Sequence, residues 1–145
     1  MFNYKITIQY DGTQYAGWQI QENATTVQEV ISESIENILQ EKINLIGAGR
    51  TDAGVHALGQ VANFTTGREL DLYKFKYSVN SVLPSDISIA KIEIAEENFH
   101  ARFSAKKRSY IYLISYQKSP FFDRYSYTLF MDFDLNKLNA LSSSY

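Results

Sequence analysis

Residues 2–10, FNYKITIQY, alternate without a break, with Phe2, Tyr4, Ile6, Ile8 and Tyr10 on one side and Asn3, Lys5, Thr7 and Gln9 on the other. A period of two held over this length demands a strand with one face against a core. It also excludes a secretory leader or a membrane span at the N-terminus, since both need an unbroken apolar run. No such run occurs elsewhere in the chain. The residues after this strand supply its neighbours in a definite order. Asp11-Gly12 ends the strand as a turn, and a polar and aromatic loop runs to Ala24. Thr26 and Glu29 have the spacing of a capping box. Val27, Val30, Ile31, Ile35, Ile38 and Leu39 then recur at helical spacing, which predicts a helix over residues 27–41. Residues 43–46 suit a short buried strand, 47–54 a glycine-punctuated loop, and 57–65 a strand weakened by Gly59. After Asp71, the residues Leu72, Phe75, Val79, Val82 and Leu83 keep helical spacing until Pro84 stops them. Residues 87–94 suit a strand whose apolar phase changes near Lys91, the mark of a bulge or a bend. The order βαββαβ is the ferredoxin-like split motif, an α+β unit. It predicts a four-stranded antiparallel sheet with two helices on one face.

The pattern then restarts. Residues 102–116 predict a long strand with Tyr110, Tyr112, Ile114 and Tyr116 on one face and Ile111 and Leu113 on the other. Apolar residues on both faces suit a central strand covered on both sides. Ser119-Pro120 marks a turn, 125–130 a further strand, and Asp134 a cap for a helix carrying Leu135, Leu138 and Leu141. That helix has only begun its apolar stripe when the sequence stops at Tyr145. The pattern therefore implies two domains, 1–98 complete and 99–145 the truncated start of a second, similar one.

A chain of 145 residues with 45% hydrophobic and 21% charged residues is globular in composition. Without cysteine it has no disulfide, thiolate metal site or cysteine nucleophile, which fits a reducing cytoplasm. The net charge of −2 conceals two poles. Residues 22–41 hold Glu22, Glu29, Glu33, Glu36 and Glu41 and no cation. Residues 99–125 hold Arg102, Lys106, Lys107, Arg108, Lys118 and Arg124 against Asp123 alone. An anionic partner responds to the local field, not to the sum.

Two segments can carry chemistry. GAGRTDAGVHALGQVANF, residues 47–64, lacks the third glycine of a dinucleotide fingerprint and the Gly-Lys-Ser/Thr of a phosphate loop. It offers one carboxylate, Asp52, between Arg50 and His56. A lone carboxylate in such a loop acts as nucleophile or base, kept ionised by a nearby arginine. The plain alternative is an Asx turn at Asp52 with Arg50 paired to it on the surface. His56 and His100, the only histidines, make a poor metal site without cysteine or a carboxylate cluster. FHARFSAKKRSYIY, residues 99–112, interleaves Phe99, Phe103, Tyr110 and Tyr112 with Arg102, Lys106, Lys107 and Arg108. Cations among aromatic rings suit a polyanion with exposed bases. The alternative places the rings in a core and the cations on its solvated rim.

YDGTQYAGWQIQ (residues 10–21), GRTDAGVHALGQVANF and FHARFSAKKRSYIY, in this order, resemble the tRNA pseudouridine synthase A (TruA) family over nearly the whole chain. The resemblance implies a cofactor-independent isomerase of the pseudouridine synthase fold. Its substrates would be uridines 38–40 of the tRNA anticodon arm. It matches the family's catalytic aspartate to Asp52 and its partner arginine to Arg50. The tyrosine that stacks on the flipped uracil is matched to Tyr110. It makes Phe99, His100, Ala101, Arg102 and Phe103 a tRNA-contacting segment and sets Arg68 near a further contact, while Lys106, Lys107 and Arg108 are expected to hold its phosphates as cations of the interleaved stretch. It also implies a homodimer acting in the cytoplasm, with no metal and no membrane partner.

Two other readings compete. An RRM-like RNA-binding module shares the βαββαβ order and would display aromatics on an open sheet face, but leaves GRTDAGVH unexplained. A small-metabolite regulatory domain would need a pocket without a basic rim.

Overall fold

In a computed structural model, residues 1–131 and 134–142 are described, and they divide into two compact units, Met1–Lys106 and the residues from Lys107 onward. The alternating segment forms β1 (Phe2–Tyr10). Tyr4, Ile6, Ile8 and Tyr10 are buried on one face, while Phe2, at the strand's open end, is 37% exposed. Thr26 caps α1 (Val27–Leu39) through the full reciprocal capping box with Glu29, an arrangement worth about 1 kcal/mol. The helix stops two residues short of the expected end. Gln40 takes a left-handed conformation (φ 54°) and donates its amide to Glu36 O.

The second strand is also shorter than its apolar run. Only β2 (Ile46–Gly47) pairs with the sheet. Upstream, the Ile43 amide bonds the Glu36 carboxylate at 3.2 Å, and Leu45 O accepts from the Gln28 amide side chain at 2.8 Å. These backbone groups serve α1 instead of a ladder. β3 (Ala57–Thr66), α2 (Leu72–Val82, capped by Asp71) and β4 (Ile87–Ala95) follow the expected pattern.

The sheet runs β2-β3-β1-β4, with every pair antiparallel. Both helices place their buried residues, among them Ile31, Ile35, Phe75 and Val79, in one core with Tyr4, Ile6, Ile8, Ala62 and Phe64. They therefore cover the same face of the sheet, as the split motif requires. Two bulges bend it. One extra residue in β4 lies between Ile89 and Lys91, where the phase change predicted one. Another, in β3 between Ala57 and Gln60, coincides with Gly59 and sits directly after the loop that carries Asp52.

The opposite sheet face is partly roofed by the chain after β4. Asn3 Nδ2 donates to Glu96 O (2.9 Å) and Phe99 O (2.8 Å). Asn63 Nδ2 donates to Asn3 Oδ1 (3.0 Å), and the Ala101 amide donates to Asn63 Oδ1 (2.8 Å). Asn3 and Asn63 are both 3% exposed. Through these bonds residues 99–106, grouped by sequence with the second domain, fold with the first unit.

In the second unit the long strand expected over residues 102–116 is not formed. Regular structure is confined to β5 (Ile114–Ser115), paired in parallel with β6 (Tyr127–Thr128), and to α3 (Leu135–Ser142). A strand needs a partner along its length, and among the described residues only the short β6 supplies one. Tyr110, Ile111, Tyr112 and Leu113 are accordingly exposed. Asp134 does begin α3, accepting from the amides of Asn136 (2.9 Å) and Lys137 (3.2 Å). Among the described residues no helix is long and apolar enough to cross a membrane.

Candidate active site

The loop from β2 to β3 is clamped from outside by the turn that follows β1. At its near end, Thr51 O accepts from the Trp18 amide (3.0 Å) and Thr51 Oγ1 is 2.9 Å from the Tyr10 hydroxyl. At its tip, the Gly54 amide donates to Tyr15 O (3.2 Å). At its far end, the Gly12 amide donates to His56 Nδ1 (3.1 Å). Glycine permits the approach. A Cβ at Gly12 would lie 2.0 Å from Val55 O, and one at Gly17, whose φ is +93°, would lie 2.4 Å from Thr51 O. A Cβ at Gly47 would strike the buried Trp18 indole at 2.4 Å from Nε1. The glycines of YDG and AGW thus let one loop grip the other on both sides of Asp52.

Asp52 itself is exposed. Its carbonyl accepts from the Val55 amide (3.2 Å), but its carboxylate has no hydrogen bond or ion pair among the described residues. The same holds for the exposed Arg50 guanidinium. The Gly54 amide that an Asx turn at Asp52 would use is committed to Tyr15 O. Neither part of the plain alternative is therefore present among the described residues. Sequence reasoning missed the clamp residues Tyr10, Gly12, Gly17, Trp18 and His56 as parts of the site. Their signal was the pair of glycines in YDGTQYAGW, of which Gly12 read as a turn and Gly17 only as part of a loop.

Burial raises the pKa of the Tyr10 phenol, partly offset by its bond to Thr51. The Tyr15 phenol is raised further, first by burial, then by its 2.7 Å bond to the Asp86 carboxylate and the charges of Asp86 and Asp11. Both rings therefore stay neutral supports of the clamp across the ordinary pH range.

None of the remaining predicted residues of the first unit is bonded to Asp52. The Asn3–Asn63 bonds seat residues 99–104 on the far sheet face. There the His100 and Phe103 rings lie 4.3 Å apart at 31°, and the Arg102 guanidinium is 5.7 Å from the Phe103 centroid. Phe103 is 77% exposed, whereas Ala101 is 1% exposed and serves as the seat of the segment. Lys5, Lys106 and Glu96 line an open cleft of about 480 Å³ with Asn98, Phe99 and Ser104, so its rim is mixed in charge with two lysines to one glutamate. Arg68 follows the far end of β3, its Nε 3.9 Å from the Glu41 carboxylate. At about 3.3 Å per residue, a strand of this length separates it from the Asp52 loop by roughly 30 Å. Lys107, Arg108 and Tyr110 belong to the second unit, and all three are exposed. Of the aromatics of β1 and β3, Tyr4, Tyr10 and Phe64 belong to the helix-covered core. The other face of these strands carries Asn3, Lys5, Thr7 and Asn63, so the stacking surface of an RRM-like module is not built.

A family model described as "tRNA pseudouridine synthase" matches residues 6–104. The chain belongs to the tRNA pseudouridine synthase family. The match takes in the clamp, the Asp52 loop and the segment after β4, and stops before Tyr110. Among relatives named tRNA pseudouridine synthase A, that of Thermoanaerobacter sp. (strain X514) is 52% identical over 118 residues, 81% of this chain and 48% of the relative. That of Caldicellulosiruptor saccharolyticus is 54% identical over 114 residues, 79% of this chain and 47% of its own length. That of Chlorobium phaeovibrioides is 45% identical over 144 residues, 99% of this chain and 59% of its own length. The chain thus spans about half the length of these relatives.

Proposed function

We propose that this chain carries the catalytic aspartate of a tRNA pseudouridine synthase acting on uridines 38–40 of the anticodon arm. Asp52 is the reacting carboxylate, Arg50 its cationic neighbour, and Tyr110 the ring that stacks on the displaced uracil. The observation that carries this reading is a carboxylate without a partner among the described residues, on a loop gripped on both sides. In the reaction the N1–C1′ bond breaks, the base turns, and C5 bonds to C1′. The C5 proton passes to solvent and N1 takes up a proton, so no redox partner is needed. The target base must first leave its stack, at a cost of a few kcal/mol. Phe99, His100, Arg102, Phe103, Arg68, Lys106, Lys107 and Arg108 hold the tRNA, and buried Ala101 seats its own segment on Asn63. Residues 1–98 form a ferredoxin-like catalytic domain on which residues 99–106 fold, and a second domain takes over from Lys107. The enzyme works as a cytoplasmic homodimer.

The test is tritium release from tRNA carrying 5-tritiated uridine, with the full-length protein. Release by the wild type and none by Asp52→Asn is expected. Appreciable turnover by Asp52→Asn overturns the assignment.

A further inference from the structure

The far end of the Asp52 loop rests on a single side chain whose ring nitrogen meets two competing groups. His56 Nδ1 lies 3.1 Å from the Gly12 amide nitrogen and 3.1 Å from Asp11 Oδ1. One nitrogen cannot accept from an N–H and donate to a carboxylate at once. Asp11 Oδ1 already accepts from the Thr13 amide (3.0 Å) and the Thr13 hydroxyl (2.5 Å). Gly12 is buried, and a buried amide needs an acceptor.

We propose that His56 is a positioning residue for Asp52, using neutral Nδ1 to accept the Gly12 amide and so latch the loop onto the turn after β1. The ring proton then resides on Nε2. Three features make this a latch and not a general packing contact. His56 is the residue after Val55, whose carbonyl abuts Gly12. The bond closes the loop at the end opposite Thr51, which is held by Tyr10 and Trp18. With both ends and the tip tied, Asp52 needs no side-chain partner to keep its place. A lost latch frees the far end, and a misplacement of about 1 Å is enough to slow a reaction about 100-fold.

The proposal rests on the pseudouridine synthase reading, and its experiment separates the two. In the full-length protein, His56→Ala is expected to lower kcat about 10- to 100-fold with KM changed less than about threefold. His56→Asn, whose side-chain oxygen can accept the Gly12 amide, is expected to recover most of that loss. Equal activity in the two variants, or a change confined to KM, overturns the latch. Should His56→Ala fail to fold, long-range proton–nitrogen NMR of the wild-type protein at mildly alkaline pH decides the matter. A proton on Nε2, with Nδ1 bare, is expected. A proton on Nδ1 overturns the proposal. Absence of tRNA turnover by the wild type, with the Nε2 tautomer observed, strikes the functional reading and leaves the latch.

Discussion

Gly12→Ala should be the sharpest probe of how the site is built. The backbone at Gly12 is not left-handed, since the glycines with positive φ are Gly17 and Gly54. Alanine therefore meets no intrinsic conformational penalty, and the whole effect must come from contact. The new Cβ would lie 2.0 Å from Val55 O and 2.7 Å from Val55 C. Ordinary carbon contacts lie at about 3.5 Å, so turn and loop must part by more than about 1 Å. Both sides are backbone, and no side chain can swing away. Overpacking of this kind costs about 1–3 kcal/mol, or roughly 4–8 °C in Tm for each kcal/mol in a unit of this size. The displacement enters the loop three residues after Asp52, so kcat should fall about 100-fold. Gly59→Ala is the control. Its Cβ meets only Thr7 Cγ2, at 3.9 Å, and loss of a strand glycine should be neutral or stabilising by about 0.5–1 kcal/mol. Urea unfolding and tritium release measure both variants. A Gly12→Ala protein with wild-type stability and kcat would refute the argument that close approach of these loops fixes the site.

Two further outcomes are expected from the same geometry. Asn63→Ala strips partners from the Ala101 amide and from Asn3 Oδ1, both in a buried network; at about 1–3 kcal/mol for each of these two orphaned groups, unfolding should ease by roughly 2–6 kcal/mol, with faster amide exchange over residues 96–104, and unchanged protection there would contradict the roof. Tyr15 has a folded pKa above its unfolded value, so its contribution is complete below about pH 10 and is lost as pH rises beyond it; stability measured by urea at stepped alkaline pH should fall less steeply in Tyr15→Phe, and parallel curves would dismiss Tyr15 as a source of the alkaline loss.

The first unit was legible in the sequence because its signals are local. Alternation in β1, the Thr26–Glu29 box and Asp71 each act within a few residues, and the structure realises all three. Element ends were less legible where distant groups decide them, as when Glu36 and Gln28 take the backbone of residues 43–45 away from the sheet. Residues 102–116 show the same limit more strongly. Alternation states what a strand would do if paired, and only residues 114–115 find a partner among the described residues. Asp52 was singled out by its motif, whereas the bonds that hold its loop were not. The approach of Gly12 to Val55 and of Gly17 to Thr51 joins segments some forty residues apart, and no periodicity reports it.

The distribution of fixed and unfixed groups argues for function more strongly than the motif alone. A structural aspartate in a loop is held by its side chain, as Asp71 and Asp134 are by the amides they cap. At Asp52 the arrangement is inverted. Backbone bonds from Trp18 and Gly54, the Tyr10–Thr51 contact and the His56 latch immobilise the loop, and the carboxylate is the part left open. Such a loop has its conformational entropy removed in the fold, before a ligand arrives. Nothing in the packing of the first unit uses the Asp52 or Arg50 side chain, so removing either charge should leave its folding nearly untouched. A site whose scaffold is rigid and whose charged groups are unspent is organised for an external partner, and a displaced base next to a phosphate backbone would meet both.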